Sequence, residues 1–135
     1  MVLGAGCASN IKPPRDARVV ERELLTTGYC KCGKCCNWRH TWLGKPVIAS
    51  GPARGERKQV GVTASGRKAR PGTIAADTSI YPFGTVMHIP GYGYGRVEDR
   101  GSAITGQHID LFFKSHKAAV RWGRQTLPVR IYLPR

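Results

Sequence analysis

Gly95-Arg-Val-Glu-Asp99-Arg-Gly-Ser-Ala-Ile104-Thr-Gly106-Gln-His-Ile-Asp110-Leu-Phe-Phe113 is the stretch on which the fold turns. Arg96 to Asp99 reads as a short strand, Arg100 to Gly106 as a loop punctuated by Gly101 and Gly106, and Gln107 to Phe113 as a strongly apolar strand. Directly after it, Ser115 is placed to cap a short helix over His116 to Trp122, which Gly123 ends. Working outward, Thr73 to Ala76, Thr85 to Ile89 and Pro128 to Leu133 read as further short strands, with Thr26 to Tyr29 and Val60 to Ala64 as additional candidates. Turns at Ser65-Gly66, Arg70-Pro71-Gly72 and Pro90-Gly91 separate them. Many short strands around one or two short helices predict a mainly β chain folded as a small β-barrel.

Composition agrees with this reading. The 135 residues suit one domain, and 17 glycines with 9 prolines argue against a helical bundle. No apolar run approaches the ~20 residues of a helical membrane span. Residues 1–22, with Pro13-Pro14 and mixed charge, read as a tether, in which a short helix over Asp16 to Leu25 is a further expectation; residues 23–135 form the barrel domain. Trp38 to Lys58 is punctuated by Gly and Pro and reads as a long loop.

Charge is lopsided: 22 Lys+Arg against 8 Asp+Glu, a net +14, concentrated in the first half. Such a field favours anionic partners such as nucleic acid, acidic lipid or an anionic wall polymer. After Glu56 the chain holds four carboxylates only, Asp77, Glu98, Asp99 and Asp110. Acids this scarce are candidates for chemistry. Asp110 stands out, because an unpaired charge inside an apolar strand is costly. On a strand His108 and Asp110 share a face, so His108 is a candidate to orient the acid. Asp77 and Asp99 have an alternative as turn caps that accept backbone N–H groups.

Two cysteine features stand apart. Met1 to Cys7 is small and apolar and resembles a truncated bacterial lipoprotein signal, in which Cys7 would carry lipid, although a basic n-region and an apolar h-region of 7–15 residues are not seen. Cys30, Cys32, Cys35 and Cys36 fit either a structural tetrahedral zinc, with Lys31 and Lys34 favouring thiolates, or two disulfides in an exported protein. Catalysis is expected to need no cofactor.

The settings Ala75-Ala-Asp77-Thr-Ser-Ile-Tyr-Pro82-Phe-Gly84-Thr85, Val97-Glu-Asp99-Arg-Gly101 and Gln107-His-Ile-Asp110, together with Gly61-Val-Thr-Ala-Ser-Gly66, Ile89-Pro-Gly-Tyr-Gly93 and Trp122-Gly123, resemble the 3D domain. That family is named for three aspartates, occurs in bacterial cell-wall proteins and is related to the barrel of membrane-bound lytic transglycosylase A. The resemblance implies a double-psi β-barrel that binds peptidoglycan glycan strands, with Asp110 as catalytic acid and Asp99 and Asp77 supporting it. Thr63, Ser65, Thr85, Gly101, His108 and Tyr92 are the expected substrate-binding residues, Tyr92 by stacking on a sugar ring.

Three classes of function follow. A lytic transglycosylase would use Asp110 as its single acid and base, cleaving between MurNAc and GlcNAc to leave a 1,6-anhydro end. A non-catalytic wall-binding module of expansin-like type is the alternative. Nucleic-acid binding fits the charge but leaves the aspartates unexplained, so no specific nucleic acid is expected. The chain is expected to act as a monomer in the cell envelope, with a lipid anchor as a further possibility.

Overall fold

The computed structural model describes residues 11–31, 38–40, 46–48 and 62–134. Six strands close a barrel: β1 (Arg18–Tyr29), β4 (Thr73–Ala75), β5 (Val86–Ile89), β6 (Gly93–Asp99), β7 (His108–Phe112) and β8 (Gln125–Leu133). They run in the order β1-β7-β4-β6-β5-β8. A separate antiparallel pair joins β2 (Trp38–His40) to β3 (Pro46–Ile48). That pair corrects the long-loop expectation for Trp38 to Lys58 over these six residues; the rest of that stretch lies outside the described residues, as do Cys7, Cys32, Cys35 and Cys36.

The pairing has an internal symmetry. β1 pairs in parallel with β7, and β4 in parallel with β6. β1 pairs antiparallel with β8, and β5 antiparallel with β6. Exchanging the first three barrel strands (β1, β4, β5) for the last three (β6, β7, β8) therefore leaves every pairing unchanged, with β4·β7 and β5·β8 each mapping onto itself. Two interlocked three-stranded halves build the barrel.

The core is drawn from alternate positions of these strands: Leu24, Ile74, Met87, Ile89, Val97, Ile109, Leu111, Val129 and Ile131 are fully enclosed. Period-two burial also explains a correction. The expected helix over Asp16 to Leu25 is strand β1 from Arg18 onward, because Leu24 and Thr26 point inward while Arg18 to Arg22 pair with Val129 to Leu133. The ladder to β8 and the burial of Leu24 outweigh local helix propensity. β1 thus takes in residues 18–22, which the sequence reading places in the tether.

One helix, α1 (His116–Trp122), is present among the described residues. Ser115 Oγ accepts the Ala118 N–H at 3.1 Å, and Gly123 ends the helix at φ 69°. Trp122 and Phe113 pack against the barrel core, and Trp122 Nε1 donates to Thr26 Oγ1 at 3.0 Å. Gly28 permits this approach: a Cβ there would sit 2.9 Å from the Ala119 carbonyl oxygen.

Candidate functional site on the outer barrel wall

Residues opposite one another in a ladder project to the same face. Thr27 of β1 lies opposite Asp110 of β7, and Asp110 opposite Ala75 of β4. Ala75 is also opposite Asp99 of β6. These four form one row across four adjacent strands, on the face away from the core residues Ile74, Ile109 and Leu111. A β-bulge between Ile74 and Ala75 creates the row: Ile74 is opposite Val97, yet Ala75 is opposite Asp99, so Glu98 is the extra residue. Without it Asp99 would share the inward face of Val97. Asp99 and Asp110 consequently straddle the small Ala75, with backbones about 10 Å apart, two strand spacings.

Asp110 is half-buried. Burial pushes its carboxyl up to about 6, the Thr27 hydrogen bond holds it back, and the negative charge of Asp99 adds to the rise. Thr27 Oγ1 lies 2.9 Å from both Asp110 Oδ1 and His108 Nε2, and 3.4 Å from the Ile109 carbonyl oxygen. Burial, then the positive charge of Arg124, keep His108 below the usual histidine range, so its ring is neutral at pH 7. Thr27 has one hydroxyl proton to offer, so it donates to the ionised Asp110 in the tautomer whose proton sits on His108 Nε2; once Asp110 is protonated, the carboxyl can donate to Thr27, whose own proton is then free for the Ile109 carbonyl.

Asp99 is held by three donors: Ala64 N–H at 2.9 Å and Arg100 N–H at 2.8 Å on Oδ1, and Tyr29 O–H at 3.2 Å on Oδ2. The Ala64 bond latches the turn 62–68 onto the end of β6, assisted by Ser65 N–H to the Glu98 carbonyl. Ser65 is exposed on that turn. Thr63 is buried, and its hydroxyl serves the turn itself, 3.0 Å from Ser65 Oγ and accepting Arg67 N–H. Gly101 is exposed at the start of the loop leaving Asp99, and a Cβ there would meet Ile104 at 3.2 Å.

The third aspartate is used differently. Asp77 Oδ1 accepts the N–H and hydroxyl of Ser79, and Oδ2 accepts Gly106 N–H at 3.0 Å. The Gly106 bond first, then those from Ser79, hold its carboxyl below the ordinary range. Asp77 thus ties the 77–81 turn to the far end of the loop that joins Asp99 to Asp110.

Two expected substrate contacts are corrected. Thr85 is fully buried and its hydroxyl donates to the Pro82 carbonyl at 2.7 Å. Tyr92 is also buried: its ring meets Phe113 and Trp122 edge-on, and its hydroxyl donates to the Phe112 carbonyl and accepts Gly72 N–H. Neither can reach a glycan, because both face the barrel interior. Thr27 and Tyr29, absent from the expected site, enter it; the available signal was hydroxyls at alternate positions of β1, ahead of the cysteine cluster. Of that cluster Cys30 alone is described, buried with Sγ 4.0 Å from His116 Nδ1.

An open depression of about 430 Å³ is lined by Arg18, Pro82, Leu133 and Pro134, none of them an acid.

Barrel and row together define a β-barrel protein with a protonatable carboxyl on its outer wall. Residues 72–133 match the family model described as the 3D domain, the family that the three aspartate settings resemble. Over 58 residues the chain is 45% identical to YabE of Bacillus subtilis (strain 168), a protein named for cell wall shaping, covering 43% of this chain and 14% of that one. Over 75 residues it is 36% identical to the cell wall-binding protein YocH of the same organism, covering 53% and 26%. The chain thus spans about a quarter or less of the length of these relatives. Among solved structures, E. coli MltA with bound chitohexaose is similar at 24% identity and TM-score 0.46, covering 54% of this chain and 28% of that one. A second MltA crystal structure gives 23%, 0.46, 59% and 30%.

Proposed function

We propose that the chain acts on peptidoglycan as a lytic transglycosylase, breaking the bond from MurNAc to GlcNAc and leaving a 1,6-anhydroMurNAc end. One observation carries the reading: a half-open carboxyl raised to about 6, bridged by one hydroxyl to a neutral histidine, with a second carboxylate across Ala75. Ordinary glycosidases divide acid and base between two carboxylates. Here Asp99 is taken up by three donors, which leaves Asp110 to serve both steps. Protonated Asp110 donates to the glycosidic oxygen as the bond to the MurNAc anomeric carbon breaks. The resulting carboxylate then takes the proton of the C6 hydroxyl as that oxygen bonds to the same carbon. The proton returns to Asp110, no water is consumed, and the acid is reset.

The names of YabE and YocH support a wall polymer as partner and the cell envelope as location. The two interlocked halves support the double-psi type of barrel. The name of YocH also favours a second reading, a module that grips the wall without cleaving it. Purified sacculi separate the two: release of soluble anhydro-muropeptides, lost in Asp110→Asn, supports cleavage, whereas sedimentation with sacculi and no soluble product supports binding alone.

A further inference from the structure

Glu98, the extra residue of the bulge, is buried with 3% of its side chain exposed, and it gathers three arginines. The guanidiniums of Arg96, Arg70 and Arg67 lie 3.3, 3.5 and 3.9 Å from its Oε2, while Oε1 accepts the Thr73 hydroxyl at 3.1 Å. One carboxylate cannot neutralise three guanidiniums, so the cluster carries a surplus of two positive charges. Arg67 and Arg70 are 59% and 51% exposed and turn unused donors to solvent. Holding three like charges on one oxygen is costly unless an anion offsets the repulsion, and a guanidinium fork suits a carboxylate in two-point contact.

The place of the cluster limits what that anion is. Thr73, which holds Glu98, is two residues before Ala75 on β4 and so shares its face, about 7 Å along the strand from the aspartate row. The turn 62–68 carries Arg67 and is bonded to both Asp99 and the Glu98 backbone. A group hanging from the sugar bound at the row would reach the cluster. We infer that Arg67, Arg70 and Arg96 form a carboxylate-binding subsite for the stem peptide borne by the MurNAc residue beside the scissile bond. The inference rests on the glycan reading of the aspartate row and adds to it the class of substituent recognised.

Three preparations of soluble glycan strands test it: with stem peptides intact, with peptides removed by an amidase, and with peptide carboxylates chemically amidated. Binding isotherms of the full chain are expected to be about tenfold tighter for intact strands than for the other two. Arg67→Gln/Arg70→Gln should bind all three alike, at the stripped-strand level, and Arg67→Lys/Arg70→Lys should recover part of the preference. Equal wild-type affinity for the three preparations overturns the subsite while leaving the glycan reading intact. A preference that survives in Arg67→Gln/Arg70→Gln overturns it as well, as does tighter binding to a phosphodiester wall polymer than to peptide-bearing strands. Binding to no preparation removes the glycan reading and the subsite together. Should the Gln variant fail to fold, the amidated strands decide with wild-type protein alone.

Discussion

Asp77 and Asp110 carry the same functional group into opposite surroundings. Both oxygens of Asp77 are filled by Ser79 and Gly106, and its carboxyl is driven down; Asp110 is half-buried, and burial outweighs its bonds from the Thr27 hydroxyl and the Leu111 N–H, so its carboxyl is driven up. Donors at an exposed position make an aspartate a fastener, and burial that outweighs its donors leaves it able to hold a proton. The two are linked, since the loop that Asp77 secures at Gly106 leads directly into the strand carrying Asp110.

Substitution separates the two roles most widely. Asp110→Asn should lower turnover on sacculi by about 10²–10⁴-fold, the usual worth of a general acid, with the fold retained. Asp77→Asn should lose far less turnover but lower the melting temperature, because Asn keeps one acceptor oxygen where Asp77 uses two. Equal losses of turnover would break the contrast.

The stability of Asp110→Asn should move the other way. In the unfolded chain the carboxyl ionises near 3.8, whereas in the fold it ionises near 6, so the native state loses stability as pH rises between these values. Removing the charge should therefore stabilise the protein by up to about 3 kcal/mol above pH 7, and by little near pH 4. Urea unfolding at both pH values checks this. Asp77 has the reverse dependence: its contribution is present above the ordinary carboxylate range and fades as pH falls through its lowered value.

Next in size, Tyr92→Phe strands the Gly72 N–H and the Phe112 carbonyl in the interior. It should cost about 1–3 kcal/mol in urea unfolding while leaving glycan affinity unchanged, because Tyr92 does not face the row. The smallest effect is expected from Thr27→Val. Losing the hydroxyl that holds the Asp110 carboxyl down should shift the alkaline limb of the pH–rate profile upward by about half to one pH unit, and Thr27→Ser should restore it.

The same contrast explains what could be read without coordinates. Helix α1 was legible to the residue because its signals are local: Ser115 before it and Gly123 after it satisfy the ends whatever the surroundings. The unusual setting of Asp110 was legible because a charge in an apolar strand has few explanations. The bulge at Glu98 was not, since it exists only in the register between β4 and β6, and with it went the reason Asp99 faces outward and the role of Glu98 itself. Thr85 and Tyr92 misled because a polar group in a motif says nothing about which way it points; both hydroxyls satisfy buried backbone groups. Thr27 was missed because its partners are more than eighty residues away in sequence. The strand at Arg18 was read as a helix because its partner, β8, closes the barrel from the other end of the chain.

The central claim is that one carboxyl, protonated and then restored, cuts the glycan without water. Mass spectrometry of the products released from purified sacculi by the wild-type chain tests it most directly. The account predicts muropeptides ending in 1,6-anhydroMurNAc, about 18 Da lighter than their hydrolysed counterparts by the elements of one water, and none from Asp110→Asn. Products with ordinary reducing ends, or undiminished release by Asp110→Asn, would contradict it.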